Sequence, residues 1–419
     1  MDKIKYFIII FISSSFFLFE GIQIASINTL MVFIQNELHL NITFVGMIAS
    51  TYFFTICCML LPAGIILDKY GPWKTYPIAF FISATGMLIF SFSSSLIAIL
   101  ISRIISGAAA SFALLGGIKI ARLYFDINTS QFIITLIIAL HVFGDMLAQM
   151  PLTWLINKFG WRDSLSIIAL TAMIIAIYSF FILAKLQRQE NFNNNVTNKI
   201  TFLSIIKIIH NPTVWLGAFI VIMFELPVFL LGTFFGHSFL LNAYNMSNLA
   251  VGSIFSLLYI ILMISTPVFG FIWKKTSHQL ILTMSCAVLS LCSITSIFYV
   301  KFLMDHYPYI PFIILAIGAS VQNVGYFIIV ERCDSQTLAF ANSCMSLIIV
   351  LLATIARPLI GFIIEYRCYP NCSQNLLIED YQRGGLCLII FTLIGMISLI
   401  LTFGSAGRTH KNDNISSKP

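Results

Sequence analysis

Charge is what this chain has least of. Only 9% of its 419 residues are Asp, Glu, Lys or Arg, while 59% are hydrophobic. A soluble domain carries roughly 25% charged residues. The shortage argues against a soluble enzyme and against a nucleic-acid binder, because the pI near 8.9 has no basic domain behind it. Catalytic patterns are missing too. There is no Walker A cradle for nucleotide phosphates, no Gly-x-Ser-x-Gly elbow and no zinc-ligand spacing. No enzyme, cofactor or metal is expected. Of the nine Cys, most lie inside apolar segments as small hydrophobes, and Cys57-Cys58 is no metal motif. Cys368 and Cys372 sit in a polar loop, as a disulfide if that loop is outside or as two free thiols.

What is present is apolar sequence in long pieces. The mean hydropathy is +0.96, and a helix needs about 20 apolar residues to cross a bilayer. Runs of that kind occur near 6–33, 43–67, 75–96, 98–121, 131–155 and 164–184, and again near 213–240, 249–273, 279–300, 309–331, 337–364 and 385–404. The first starts after Lys3 and Lys5 but has no small-residue cleavage site, so it reads as an uncleaved span. The expected fold is an all-α membrane protein with twelve transmembrane helices. Its domains are a six-helix bundle over 1–184, a linker over 185–211, a second six-helix bundle over 212–406 and a polar tail over 407–419.

Basic residues orient the chain. If the N-terminus is cytoplasmic, sixteen of the 23 Lys and Arg fall in cytoplasmic segments and five in outer ones, while Arg103 and Arg357 lie inside spans. The positive-inside rule then places both termini and the linker in the cytoplasm. An internal repeat is also visible. Phe19-Glu20 pairs with Phe224-Glu225, Pro62 with Pro267, and Trp161-Arg162 with Tyr366-Arg367, all at an offset of 205. One shared offset across three span pairs predicts two pseudo-symmetric halves of parallel topology.

Between the second and third runs lies Gly64-Ile-Ile-Leu-Asp68-Lys-Tyr-Gly71-Pro-Trp-Lys74. Gly64 is expected to allow a close helix approach, and Gly71-Pro72 breaks the helix. This stretch resembles the loop motif of the major facilitator superfamily, Gly-x-x-x-Asp-x-x-Gly-x-Lys/Arg, with Gly64, Asp68 and Gly71 matching and Lys74 in the basic place. Arg103-Ile-Ile-Ser-Gly107 resembles the family's helix-4 motif, and Phe159-Gly-Trp-Arg162 resembles the sequence after helix 5. The second copy, around Gly270 and Lys274-Lys275, is degenerate. Gly144-Asp145 through Pro151 departs from the Gly-rich series of many drug antiporters, which weakens an export reading.

The resemblance implies a secondary transporter in which two bundles rock about a central site. It also implies that Asp68 meets the N-terminus of helix 11, near 335–341, and holds the cytoplasmic side shut. Ionisable groups at membrane depth are costly and mark candidate chemistry. Glu20 and Glu225 fall near mid-depth of spans 1 and 7, and Pro227 would kink span 7. Either glutamate could carry a coupling proton, or serve as a neutral packing contact. His141, Asp145 and Gln149 form one stripe at i, i+4, i+8. Of these, His141 and Asp145 are proton-coupling candidates, with contact to the solute or an interhelical hydrogen-bond patch as the alternatives; Arg103 is another, with snorkelling to the interface as the bland alternative. Gln23, Asn28, Gln322, Asn323 and Arg357 are candidate solute ligands; the alternative for the amides is packing, and for Arg357 a pairing with Glu20 or Glu225. His237 reads as an interface residue near a helix end.

The expected function is proton-coupled uptake of a small polar solute, with an amino acid or short peptide favoured by charges of both signs. The alternatives are efflux of a drug, siderophore or metabolite, and a transporter-like receptor that moves nothing. Expected partners are the solute, protons and the lipid bilayer, with no nucleic acid, in a monomer. The short loops suit a bacterial inner membrane. Asn41-Ile-Thr43 and Asn371-Cys-Ser373 fit the glycosylation pattern, which leaves a eukaryotic origin open.

Overall fold

The structure, a computed structural model, describes residues 3–189, 212–332, 338–367 and 376–416. Most of the linker, together with Cys368, Asn371 and Cys372, lies outside the described residues. Every element among the described residues is helical. Twelve helices are long and apolar enough to cross a bilayer. Spans 1 to 6 are Tyr6–Leu38, Ile42–Tyr70, Pro72–Phe92, Leu96–Tyr124, Phe132–Phe159 and Trp161–Leu186. Spans 7 to 12 are Pro212–Tyr244, Asn248–Lys275, Gln279–Tyr299, Tyr309–Val330, Cys344–Glu365 and Ile378–Phe403. Helices suit such runs because hydrocarbon offers no partner to a backbone N–H or C=O.

Punctuation is local. Asn41 caps span 2, its side-chain oxygen accepting the Phe44 N–H at 3.0 Å, and Ser95 caps span 4 through the Ala98 N–H at 3.3 Å. Gly71 takes φ +74° between spans 2 and 3, with Pro72 opening span 3 where its missing N–H costs nothing. Three spans are irregular. Span 5 breaks at Ala148-Gln149 into Ile127–Leu147 and Met150–Phe159, just before Pro151. Span 10 holds a 3₁₀ turn at Ala319–Gln322. In span 7 the α-helix continues past Pro227 to Leu230, and the irregularity falls in a π-helical turn at Leu231–Phe235. Such wide turns leave backbone carbonyls available and recur at functional sites.

By packing, the chain divides into two compact units. The first comprises Met1–Lys199, Leu231–Ile260 and Thr354–Asp380; the second comprises Ile200–Leu230, Ile261–Ala353 and Tyr381–Pro419. The units therefore do not follow the chain halves, since parts of spans 7, 8 and 11 pack with spans 1 to 6. Within the first unit, spans 1 and 5 touch backbone to backbone. A Cβ on Gly21 would collide with the His141 carbonyl, and one on Gly144 with the Leu18 carbonyl. Spans 2 and 11 run antiparallel in close contact, from Thr43 against Gly361, through Gly46 against Arg357, to Ser50, whose hydroxyl donates to the Thr354 carbonyl at 2.6 Å. The second unit has its own core, built on Ile220, Phe224, Phe269, Trp273, Val321 and Leu399.

Candidate functional site

The glycine contact between spans 1 and 5 sets the first part of the site. It brings Glu20 beside the His141–Asp145 pair, so that all three interact electrostatically. His141 Nδ1 lies 3.6 Å from Asp145 Oδ2, the i, i+4 geometry expected from the helical stripe. Glu20 and Asp145 are each 7% exposed, and Asp145 Oδ1 is buried with no hydrogen bond among the described residues. The Phe17 ring covers the imidazole, with centroids 4.3 Å apart.

The second part joins spans 1 to 4. Gln23 Oε1 accepts the Tyr52 hydroxyl at 2.9 Å and the Ser83 hydroxyl at 3.2 Å, and its Nε2 donates to the Ser83 carbonyl at 3.1 Å. Both terminal nitrogens of Arg103 donate to the Gln23 carbonyl at 3.2 Å. The guanidinium lies over the Tyr52 and Phe90 rings at 5.2 Å from each centroid. Arg103 is 6% exposed, so it is held inside the unit and does not snorkel. Gln23 is engaged at both ends of its amide, which suits a scaffold better than a solute ligand.

A chain of amides clasps the π turn of span 7. Gln149 Nε2 donates to the Gly232 carbonyl at 3.0 Å, Asn28 Nδ2 donates to Gln149 Oε1 at 3.4 Å, and the His237 N–H donates to Asn28 Oδ1 at 2.9 Å. Asn28 is therefore also engaged at both ends. His237 is fully buried, with Nε2 3.3 Å from Oδ1 of Asn248, the first residue of span 8. The neighbouring Thr233 accepts Arg357 Nη2 at 3.0 Å, and the Arg357 guanidinium lies 4.2 Å over the Phe53 ring. Arg357 is 0% exposed, the largest fully buried side chain described. Gly232 also faces the Tyr259 hydroxyl; a Cβ there would stand 2.5 Å from it.

The remaining candidates are elsewhere. Glu225 is half-buried in the second unit and acts electrostatically on Tyr326. Asn323 Nδ2 donates to the Thr266 carbonyl at 3.4 Å, beside the partly buried Gln322 on the 3₁₀ turn. At the loop motif, Asp68 pairs with Lys119 of span 4 at 2.7 Å, and Lys119 also donates to the Leu67 carbonyl at 2.8 Å. Ser335 to Thr337, where the resemblance puts an Asp68 partner, lie outside the described residues. Gly64 does not work as expected: among the described residues, a Cβ there would meet nothing within 4 Å. Lys74 is exposed in the first turn of span 3.

Sequence reasoning missed Tyr52, Lys119, Thr233, Tyr259 and Glu365. Glu365, at the end of span 11, is 0% exposed and accepts the backbone N–H groups of Ile42 and Thr43 and the Thr43 hydroxyl. A polar group inside an apolar run was the available signal for Tyr259 and Thr233. Glu365 gave none beyond its charge at a span end.

Comparison with known proteins agrees with this architecture. The family model of the Major Facilitator Superfamily matches residues 9–356. An uncharacterized protein of Campylobacter jejuni is 28% identical over 191 residues, covering 45% of this chain and 59% of that protein. The riboflavin transporter RibZ of Clostridioides difficile is 26% identical over 145 residues, covering 35% of this chain and 32% of RibZ. The chain thus spans under two thirds of the length of the curated relatives it matches. Among solved structures, a bacterial homolog of the human lysosomal transporter Spinster superposes with TM-score 0.78 at 14% identity, over 96% of this chain and 97% of that one. The nucleoside transporter NupG gives 0.71 at 16% identity, over 96% and 99%. The likeness of these structures is one of fold.

Proposed function

The chain belongs to the major facilitator superfamily, and we propose that it takes up a small polar solute by alternating access in symport with a proton. The favoured solute is an amino acid or short peptide. The observation that carries this reading is the sorting of buried charge in the first unit. Glu20, His141 and Asp145 cluster on spans 1 and 5, while Arg103 and Arg357 lie over the rings of Tyr52 and Phe53 on span 2. Desolvated charges of both signs suit a solute that brings both signs itself.

In this reading Glu20 and Asp145 hold the coupling proton, with His141 as its local partner, and Arg103 fixes span 4 against span 1. Glu225 is the counterpart of Glu20 in the other half. Arg357 meets the anionic part of the solute, and within the second unit Gln322 and Asn323 are the candidate polar ligands. Asp68, paired with Lys119 just before the Gly71 turn, gates the cytoplasmic side. The protein works as a monomer in a bacterial inner membrane with both termini in the cytoplasm, which accords with the bacterial relatives and the placement of basic residues. A second reading, transport of a larger aromatic solute, is favoured by the partial similarity to RibZ.

Uptake into proteoliposomes under an imposed proton gradient tests the proposal. Labelled amino acids and dipeptides should accumulate, a protonophore should abolish accumulation, and Glu20→Gln should lose accumulation while keeping solute exchange. Gradient-driven accumulation that survives in both Glu20→Gln and Asp145→Asn would move coupling elsewhere. Accumulation of riboflavin in place of amino acids would favour the second reading.

A further inference from the structure

The π turn of span 7 is a hub for groups from three other spans. Gly232 offers its carbonyl to Gln149 of span 5 and leaves room for the Tyr259 hydroxyl of span 8, while Thr233 holds Arg357 of span 11. Span 8 is tied to span 5 again through Ser256, whose hydroxyl donates to the Met146 carbonyl at 3.2 Å and accepts the Met150 N–H at 3.0 Å. Asp145 precedes Met146 by one residue. The hub therefore brings a carboxylate, a phenol and a guanidinium towards one place.

These groups are buried: Asp145 is 7% exposed, Tyr259 4% and Arg357 0%. Asp145 Oδ1 and the Tyr259 hydroxyl have no hydrogen bond among the described residues. Asp145 and Arg357 both act electrostatically on Tyr259, with opposite sign. Buried polar atoms are nearly always bonded, and exceptions call for a functional explanation. A hydroxyl within the electrostatic reach of an acid and a guanidinium can donate to one ligand atom and accept from another.

We propose that Asp145, Tyr259 and Arg357 form the docking site of a zwitterionic solute, whose ammonium meets Asp145, whose carboxylate meets Arg357, and which Tyr259 bridges. The assignment rests on the transport reading above and narrows it. Asp145 then has a direct contact to the solute in addition to its place beside Glu20 and His141. Gly232 becomes a specificity position, since a side chain there would displace the Tyr259 hydroxyl.

The test is ligand-induced thermal stabilisation of the purified full chain. The probes are L-amino acids, their methyl esters, the matching acids without the amino group, and neutral uridine and riboflavin. Stabilisation by some amino acids, but not by their esters or deaminated forms, is the expected result. Tyr259→Phe should weaken that binding roughly ten- to hundredfold, the effect of one hydrogen bond to a charged group, while its unliganded melting temperature stays near that of the wild type. Stabilisation by uridine or riboflavin alone, or amino-acid binding unchanged in both Tyr259→Phe and Asp145→Asn, overturns the assignment. Zwitterion binding that needs these residues but drives no proton-coupled uptake would uphold the site and refute the symport reading.

Discussion

Span 2 meets a carboxylate at each of its ends, and the two are held differently. At its last turn Asp68 belongs to the span itself. It pairs with Lys119 at 2.7 Å, with side chains 69% and 30% exposed. At its first turn the carboxylate is that of Glu365, from the end of span 11. It is fully buried and accepts two backbone N–H groups and a hydroxyl, the Thr43 pair at 3.1 and 2.5 Å. The first four N–H groups of a helix have no intrahelical partner, and the helix dipole favours an anion there. Water and salt weaken the Asp68 pair, whereas the Glu365 carboxylate is enclosed and hydrogen-bonded to the helix start. The difference teaches that a recognisable motif and an energetically important contact need not be the same residue.

The largest expected effect follows from removing the buried partner. Glu365→Ala leaves three donors without their acceptor, and each orphaned buried group costs about 1–3 kcal/mol. The melting temperature of the purified protein should fall sharply, whereas Asp68→Ala should change it little. Equal losses in the two variants would erase the contrast. Glu365→Gln sharpens it: the amide oxygen can accept one N–H, so stability should fall between wild type and the alanine variant.

Next in size is the amide chain on the π turn. Gln149→Leu removes the donor to the Gly232 carbonyl and the acceptor for Asn28. Losing those two buried bonds should cost about 2–4 kcal/mol, some 1–2 for each, read from the same melting measurement. Asn28→Leu tests the other link of the chain. It removes the donor to Gln149 and the acceptor of the His237 N–H but leaves Gln149 on the Gly232 carbonyl, so a smaller loss is expected if that carbonyl anchors the clasp. A loss as large as that of Gln149→Leu would mean that the Asn28 bonds dominate it.

These contacts also show what was legible beforehand. The twelve spans were readable because hydropathy over some 20 residues outweighs local detail; the run expected at 43–67 became Ile42–Tyr70, and that at 164–184 became Trp161–Leu186. His141 with Asp145 was readable because helical geometry alone sets i, i+4 neighbours. Glu365 was not, because its partners are 322 and 323 positions upstream, and nothing local to span 11 announces them. Gln23 and Asn28 were recognisable as polar groups at depth, but only the packing of neighbouring spans revealed that their amides are already engaged. Gly64 is a like case: a glycine in a motif suggests close packing, and among the described residues nothing stands within 4 Å of where its Cβ would be. The division into compact units was hidden as well, since a 205-residue repeat describes topology and not which spans pack together.

The smallest expected effect on stability concerns the exposed pair, and it separates structure from gating. Exchanging the charges, as Asp68→Lys with Lys119→Asp, preserves an ion pair of the same class. Exposed pairs contribute about 0–1 kcal/mol and weaken with salt, so the melting temperature should stay within a degree or two of the wild type. Transport should nevertheless fall. If Asp68 gates through its negative charge, a lysine in its place reverses that charge and offers only donors. Asp68→Asn should lie between the two, because its amide oxygen still accepts but carries no charge. Full uptake by the charge-exchanged protein would reduce Asp68 to an ordinary surface partner of Lys119. Lost uptake with an unchanged melting temperature would show that the weakly held end of span 2 works through an interaction that forms and breaks during transport.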